Sequence, residues 1–499
     1  MLSDSVKALV RHEEAVRRLT ILSLLYLMPA LWVMKPVIFD PDIWWHLRTG
    51  QWILEHGTVP TTDPFSMYGL GKQWIAYSWL FEILVYGLYR GLGLVGILLY
   101  QIVLAIAVVA AVHRLVVKRE PRFVVSSGLV ALATVAISAD LTPRPWLFTI
   151  LFFTVTLDAV LDLREGKSTK AMWLLPPLYA LWANLHIQFV YGLFILALAC
   201  AAPLLDRRLL PGGPADHAGR AGSPGWWTLV ALTTACFVAT VLNPYHVRIY
   251  AVIVELAMQT DSYRYVTELA APDFRYAWAW AMLAMAGAAA AALGRRTTGS
   301  LFEILLLAVS ACFAFRATRD GWFLVIAAAA VLVTSRRTDG VAERFALTKF
   351  RALLVAGAVV VVLMMVGRLR DFSARHIEAE TAKIFPVSAA AVVEERGYPG
   401  PLYNHYNWGG YLIWRLPNLP VAMDGRSNLH GDERCERSLA TWSGMPEWAS
   451  DPELAAARLV IAQKEMALAS LLRLDHRFEL VFEDTVSAVF IARSRSTGE

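Results

Sequence analysis

Residues 39–48 read Phe39-Asp40-Pro41-Asp42-Ile43-Trp44-Trp45-His46-Leu47-Arg48, and they close an apolar run over 18–39. A spanning helix needs about 20 mostly apolar residues, so the run is long enough to cross a bilayer. Its end carries Lys35, Pro36 and then the acidic stretch, with no small-residue cleavage site. It therefore reads as an anchor rather than a removable signal peptide. Beyond it come two carboxylates two residues apart, then tryptophans, a histidine and an arginine. Trp at that position belongs at headgroup level.

Working outward, further apolar runs fall at 92–116, 123–140, 145–163, 172–186, 188–205, 226–242, 276–293, 300–317, 321–335 and 350–368. The total is about eleven spans, with the two around His186 the shortest. Composition agrees. The 499 residues are 57% hydrophobic and 17% charged, against about 45–50% and about 25% in soluble domains. A disordered, collagen-like or disulfide-framework protein is excluded, and the composition argues against an ordinary soluble enzyme of several domains. The net charge of +5 is dispersed among apolar runs, which argues against a nucleic-acid groove. Cys200, Cys236, Cys312 and Cys435 form no CxxC pair, so no zinc or disulfide scaffold is indicated.

Basic residues fix an orientation. Lys7, Arg11, Arg17 and Arg18 precede the first span. Alternate loops then carry Lys118/Arg119/Arg122, Arg164/Lys167/Lys170, Arg207/Arg208/Arg220, Arg295/Arg296 and Arg336/Arg337/Arg344/Lys349. The positive-inside rule puts the N-terminus in the cytoplasm, and an odd number of spans puts the C-terminus outside. The outer segment 40–91 holds two amphipathic stretches, one at 44–54 and one at 77–90, suited to lying in the interface. The second long outer segment is 243–275. The inner loop 207–225 is rich in Gly and Pro and reads as a linker. Beyond 369, short apolar strands at 420–423, 459–462, 478–482 and 488–492 alternate with helical stretches such as 465–474. The expected architecture is a polytopic α-helical membrane domain over 1–368 and a small α/β domain outside the membrane over 369–499.

The acidic pair carries two compatible readings. Asp40 and Asp42 could bind a divalent ion, or one could take a proton from a hydroxyl. Alternatively Asp42 is the N-cap of a Trp-rich helix.

From Asp42 through Arg48, Trp52 and Gly57 to Val59-Pro60, the chain resembles the first outer loop of the GT-C superfamily of membrane glycosyltransferases. The resemblance is to lipid A aminoarabinose transferases and protein O-mannosyltransferases, whose usual Pro-Pro is missing here. Tyr77-Ser78-Trp79-Leu80 is similar to their second juxtamembrane stretch. Arg144-Pro145-Trp146-Leu147-Phe148, Trp182-Ala183-Asn184-Leu185-His186, Leu242-Asn243-Pro244-Tyr245, Trp408-Gly409-Gly410-Tyr411-Leu412 and Met423-Asp424-Gly425-Arg426 fit a bacterial branch of the same superfamily. The resemblance implies transfer of a sugar from a polyprenyl-phosphate donor to a hydroxyl of a glycan, lipid or protein. It also implies that this happens at the outer face of a bacterial inner membrane. Asp42 matches the catalytic acid, with Asp40 as its neighbour. Some members bind Mg or Mn through such acids and others do not.

A lipid-linked donor sets its phosphate at headgroup depth, where a cation stabilises the leaving group. Arg48, Arg144, Arg316 and Arg319 are candidates, because a planar fork binds two phosphate oxygens. Arginines at span ends also snorkel without further role. Arg316 and Arg319, three apart on one helix end, would face one side. His46 joins the acids as a candidate substrate contact. Asn184 and His186 form a polar cluster at membrane depth, which lines a cavity or pairs across helices. Glu268 could complete the acidic site or be merely solvated. Tyr245 reads as an aromatic-belt residue, Asp158 and Asp162 as solvated, and Gly425 as a tight turn. Two other classes compete with the transferase: a flippase for a lipid-linked glycan, which predicts mid-membrane binding and related halves, and an envelope-assembly scaffold.

Overall fold

The computed structural model describes residues 4–167, 170–209, 222–258, 266–296, 300–335 and 347–493. Most of the Gly/Pro-rich linker, with Arg220, and the basic residues Arg336, Arg337 and Arg344 lie outside the described residues.

Long apolar helices dominate, and the chain is an integral membrane protein. Among the described residues, 6 helices are long and apolar enough to cross a bilayer: His12–Val33, Leu94–Val117, Trp146–Arg164, Phe189–Asp206, Ala277–Gly294 and Lys349–Leu369. Phe123–Ala136 and Pro224–Ala239 are shorter apolar helices. The remaining apolar runs hold Leu175–Leu185, Leu301–Arg316 and Gly321–Thr334. At 11, 16 and 14 residues, each is shorter than the about 20 that an upright span requires. The first helix stops at Val33 rather than at 39. Pro36 has no N–H to continue a helix and disfavours α geometry in the residue before it.

The described chain divides into two compact units. The first comprises Met1–Lys35, Leu98–Asn243 and Val266–Asp371. Its central helix is Gly321–Thr334, buried at every position from Gly321 to Val331. A helix apolar on all sides belongs in a core. It packs against Ala277–Gly294, Leu301–Arg316, Phe123–Ala136 and Trp146–Arg164, and Trp322 meets Phe153 edge-on at 5.2 Å between ring centroids. Lys349–Leu369 is the opposite case: it packs on the first helix, yet only 11% of its apolar window is covered by protein. Such a surface suits lipid.

Asp158 and Asp162 are not simply solvated. Arg119 bonds Asp158 at 2.7 Å, Asp162 at 2.8 Å and Glu165 at 2.7 Å, and Lys118 also reaches both aspartates. The spacing of four puts both acids on one helix face, opposite two consecutive cations.

The second unit comprises Pro36–Ile97, Pro244–Tyr265 and Phe372–Glu499. Helices Ile43–His56 and Trp79–Leu92 pack on each other. Gly50 permits the approach, since a Cβ there would come within 2.1 Å of the Glu82 carbonyl oxygen. The C-terminal part carries a sheet of β1 (Leu402–Asn404), β2 (Leu459–Gln463), β3 (Phe478–Glu483) and β4 (Ser487–Ala492). The order is β1-β2-β4-β3, with β1 parallel to β2 and the other pairs antiparallel. Val460, Leu468, Leu472, Phe490 and Trp442 build its core. The stretch 420–423 is no strand: Val421 makes one isolated bridge, with Ser66, and Pro420 has no N–H to give a ladder.

Candidate functional site

In the second unit, the acidic turn divides its two carboxylates. Asp42 occupies the N-cap position of Ile43–His56, but its side chain makes no cap hydrogen bond. Asp40, which is buried, accepts the Asp42 N–H on Oδ1 at 2.9 Å. This Asx-type bond sets the turn. The helix that follows is fixed by its aromatic face: Trp44 meets Tyr411 edge-on at 5.1 Å and Phe385 at 5.6 Å.

His46, one turn further on, is buried with Nδ1 3.2 Å from Glu82 Oε1. Its ring lies 3.6 Å from that of Trp45. Burial pushes the Glu82 carboxyl well above its usual range, against the weaker pull of Arg426. Arg48 Nη1 lies 3.7 Å from Glu55 Oε2 on the same helix, while its buried Nε has no hydrogen-bond partner.

Below this helix lies a buried ionic centre that motif spacing did not reveal. Arg426 donates from Nε and Nη2 to Asp424, both at 2.8 Å, and from Nη1 to Asp63 at 2.7 Å. Trp74 lies under its guanidinium at 4.6 Å. His430 Nε2 is 3.1 Å from Asp424 Oδ2. Burial alone would raise the Asp424 carboxyl, but the charge of Arg426, then that of His430, holds it well below the ordinary range. Tyr245 is buried rather than belted: its hydroxyl donates to the Pro60 carbonyl at 2.8 Å and accepts the Ala76 N–H at 3.1 Å. It thus ties both ends of the 60–76 loop.

In the first unit, Arg144 and Glu268 come together from 124 residues apart. Arg144 Nη1 is 3.1 Å from Glu268 Oε2, with both side chains partly covered. Three bonds hold the turn that presents Arg144. Tyr100 donates to the Arg144 carbonyl at 2.8 Å, Gln101 to that of Leu141 at 2.6 Å, and the Trp146 indole to that of Asp140 at 2.7 Å. Pro145 then stands at the N-cap of Trp146–Arg164, where its fixed φ suits a helix start.

Asn184 donates to the carbonyls of Ala180 at 2.7 Å and Leu242 at 2.8 Å. His186 Nδ1 is 2.8 Å from Thr149 Oγ1, which also accepts from the Trp182 indole at 2.9 Å. Both predicted polar residues therefore join helices to their neighbours. Arg316 and Arg319 do not share a helix face. Arg316 ends Leu301–Arg316, Ala317 is extended (φ −142°, ψ 127°), and Arg319 sits in the 3-10 turn Thr318–Asp320. That turn also holds the buried Asp320, whose Oδ1 accepts from Tyr191 Oη at 2.7 Å. Burial raises the Asp320 carboxyl against the opposing charge of Arg319.

Among the described residues, no group of three or more His, Cys, Asp or Glu converges as a metal cage. Asp40 and Asp42 offer a pair of neighbouring carboxylates, with one Asp40 oxygen bonded to a backbone N–H. A pair is what Mg²⁺ or Mn²⁺ accepts when water and phosphate oxygens complete its shell.

No family model matches the chain and no curated protein matches it. Among solved structures it is similar to ArnT from Cupriavidus metallidurans bound to undecaprenyl phosphate, with a TM-score of 0.46 and 13% identity over 97% of this chain and 99% of that one. It is likewise similar to the apo structure of the same protein, with a TM-score of 0.46 and 12% identity over 96% and 98% of the two chains.

Proposed function

We propose that the chain is a membrane glycosyltransferase that moves a sugar from a polyprenyl-phosphate donor to a hydroxyl acceptor at the outer face of the membrane. The N-terminus is then cytoplasmic, and 369–499 forms an extracytoplasmic α/β domain. One observation carries the reading. At the position where the GT-C resemblance calls for the catalytic acid, Asp42 heads the helix Ile43–His56 in a turn set by Asp40, whose Oδ1 accepts the Asp42 N–H at 2.9 Å.

In this reaction the acceptor oxygen attacks the sugar's anomeric carbon, and the bond from that carbon to the phosphate oxygen breaks. Polyprenyl phosphate leaves with the electron pair. Asp42 takes the acceptor proton, helped by Asp40. In the first unit, Arg144, Arg316 and Arg319 are the cations suited to phosphate, and Glu268 restrains Arg144. His46, Arg48, Asn184 and His186 complete the proposed substrate contacts. If a divalent ion is used, Asp40 and Asp42 would hold it, and it would supply positive charge to the leaving group.

The test uses the full chain in lipid with a panel of polyprenyl-phosphate sugars, with and without Mg²⁺ or Mn²⁺, following release of polyprenyl phosphate. Turnover is expected in the wild type and is lost in Asp42→Asn, whose unfolding temperature is unchanged. Wild-type turnover by Asp42→Asn would remove the core of the proposal.

A further inference from the structure

Gly425 lies between Asp424 and Arg426, and its φ is outside the left-handed region. Backbone conformation therefore gives no reason for a glycine there. Space does. A Cβ built on Gly425 would stand 2.0 Å from Asp42 Oδ1, 3.0 Å from its Cγ and 3.4 Å from its Oδ2. The three nearest atoms all belong to one carboxylate, so the Asp42 side chain rests directly over the Gly425 Cα.

What surrounds Gly425 is rigid. On one side Arg426 is locked by its three bonds to Asp424 and Asp63. On the other, His430 Nε2 faces Asp424 Oδ2 at 3.1 Å. Tyr406 Oη donates to the Gly425 carbonyl at 3.0 Å. The helix Tyr406–Arg415 touches both partners of the contact. A Cβ at Gly409 would lie 1.9 Å from the Met423 carbonyl oxygen, and one at Gly410 would lie 2.5 Å from the Pro41 carbonyl oxygen. The two glycines let one helix clamp the backbone beside Asp42 and the backbone beside Gly425.

We propose that the Asp424-Gly425-Arg426 turn is a positioning device for the Asp42 carboxylate: the ionic centre fixes the turn, and the bare Cα of Gly425 forms the seat on which the carboxylate lies. Gly425 and Arg426 are positioning residues, acting through Asp42. The proposal rests on the reading of Asp42 as the reacting acid. A carboxylate displaced by about 1 Å loses on the order of 100-fold in rate, because a base must sit within hydrogen-bond reach of its proton.

The test takes full-length protein in lipid nanodiscs as wild type, Gly425→Ala, Asp42→Ala, the double variant, Arg426→Lys and Asp42→Asn. Thermal unfolding reads the contact. Gly425→Ala should lower the unfolding temperature by several degrees in the wild-type background and hardly at all beside Asp42→Ala, which removes the atoms it meets. Additive shifts would overturn the contact. Steady-state donor turnover reads the positioning: Gly425→Ala should lower kcat about 100-fold with donor KM unchanged. Arg426→Lys, which keeps the charge but loses the fork, should lower kcat in the same sense. It carries this arm if Gly425→Ala does not fold. If Asp42→Asn abolishes turnover while Gly425→Ala and Arg426→Lys keep wild-type kcat, the positioning role fails and the glycosyl-transfer reading stands. If Asp42→Asn turns over normally, that reading fails, and the positioning role with it, whatever the unfolding data say of the contact.

Discussion

Arg426 and Asp63 stand 363 residues apart in sequence and 2.7 Å apart in space, both fully buried. The guanidinium uses its other edge on Asp424, and Phe65 and Trp74 lie against it at 5.4 Å and 4.6 Å. A buried cation is tolerable only when its donors are matched and its charge is compensated. Here two carboxylates accept from three of the guanidinium nitrogens and compensate its charge.

Breaking this centre should be costly. Removing one partner of a buried ion pair destabilises by about 3–5 kcal/mol. Asp63→Asn is expected near that range, and Arg426→Lys below it, because an ammonium keeps the charge but cannot bridge Asp424 and Asp63 with a planar fork. Denaturant unfolding of the full chain, followed by tryptophan fluorescence, measures the loss. A change below about 1 kcal/mol, the scale of an exposed pair, would show that the centre is solvated.

The same centre sets an acid limit. Asp424 is held well below the ordinary carboxylate range in the folded chain, whereas unfolded it titrates near about 3.9. Its stabilisation is therefore complete above that unfolded value and is lost as pH falls through the depressed folded one. Wild-type unfolding temperature should fall in acid through this window. Asp424→Asn should begin lower at neutral pH and show a flatter acid limb. Parallel acid limbs in the two proteins would assign the acid sensitivity to other groups.

The parts legible in the chain are those whose physics is local. Apolar runs mark the long helices because hydropathy acts residue by residue, and Lys349–Leu369 is readable without knowing any neighbour. The turn at 39–48 shows itself because acids beside tryptophans after a span are rare in a core. What stayed hidden depends on distant partners. Asp63 and Arg426 are ordinary residues until the fold joins them. The bonds that Asn184 makes to the carbonyls of Ala180 and Leu242 likewise exist only once the helices are packed. No composition signal announces that Ala317 is extended, so Arg316 and Arg319 read as one helix face. Gly425 reads as a turn residue, and only the fold shows that its bare Cα also makes room for a carboxylate.

Arg144 and Glu268 give a prediction in which two substitutions move one quantity in opposite directions. Glu268 sits 3.1 Å from the Arg144 guanidinium and competes with any phosphate for the same N–H donors. If Arg144 binds the donor phosphate in ground and transition states alike, Arg144→Ala should raise donor KM about tenfold with kcat little changed, the loss of one charge-assisted contact. Glu268→Gln keeps the shape of the side chain but removes the competing charge. It should therefore lower donor KM, and more so at low salt, where an uncompensated surface cation is least screened. A structural salt bridge behaves otherwise: both substitutions would raise KM or lower the unfolding temperature together. Steady-state donor titrations at two ionic strengths separate the cases, and a rise in KM for Glu268→Gln would remove Arg144 from the phosphate site.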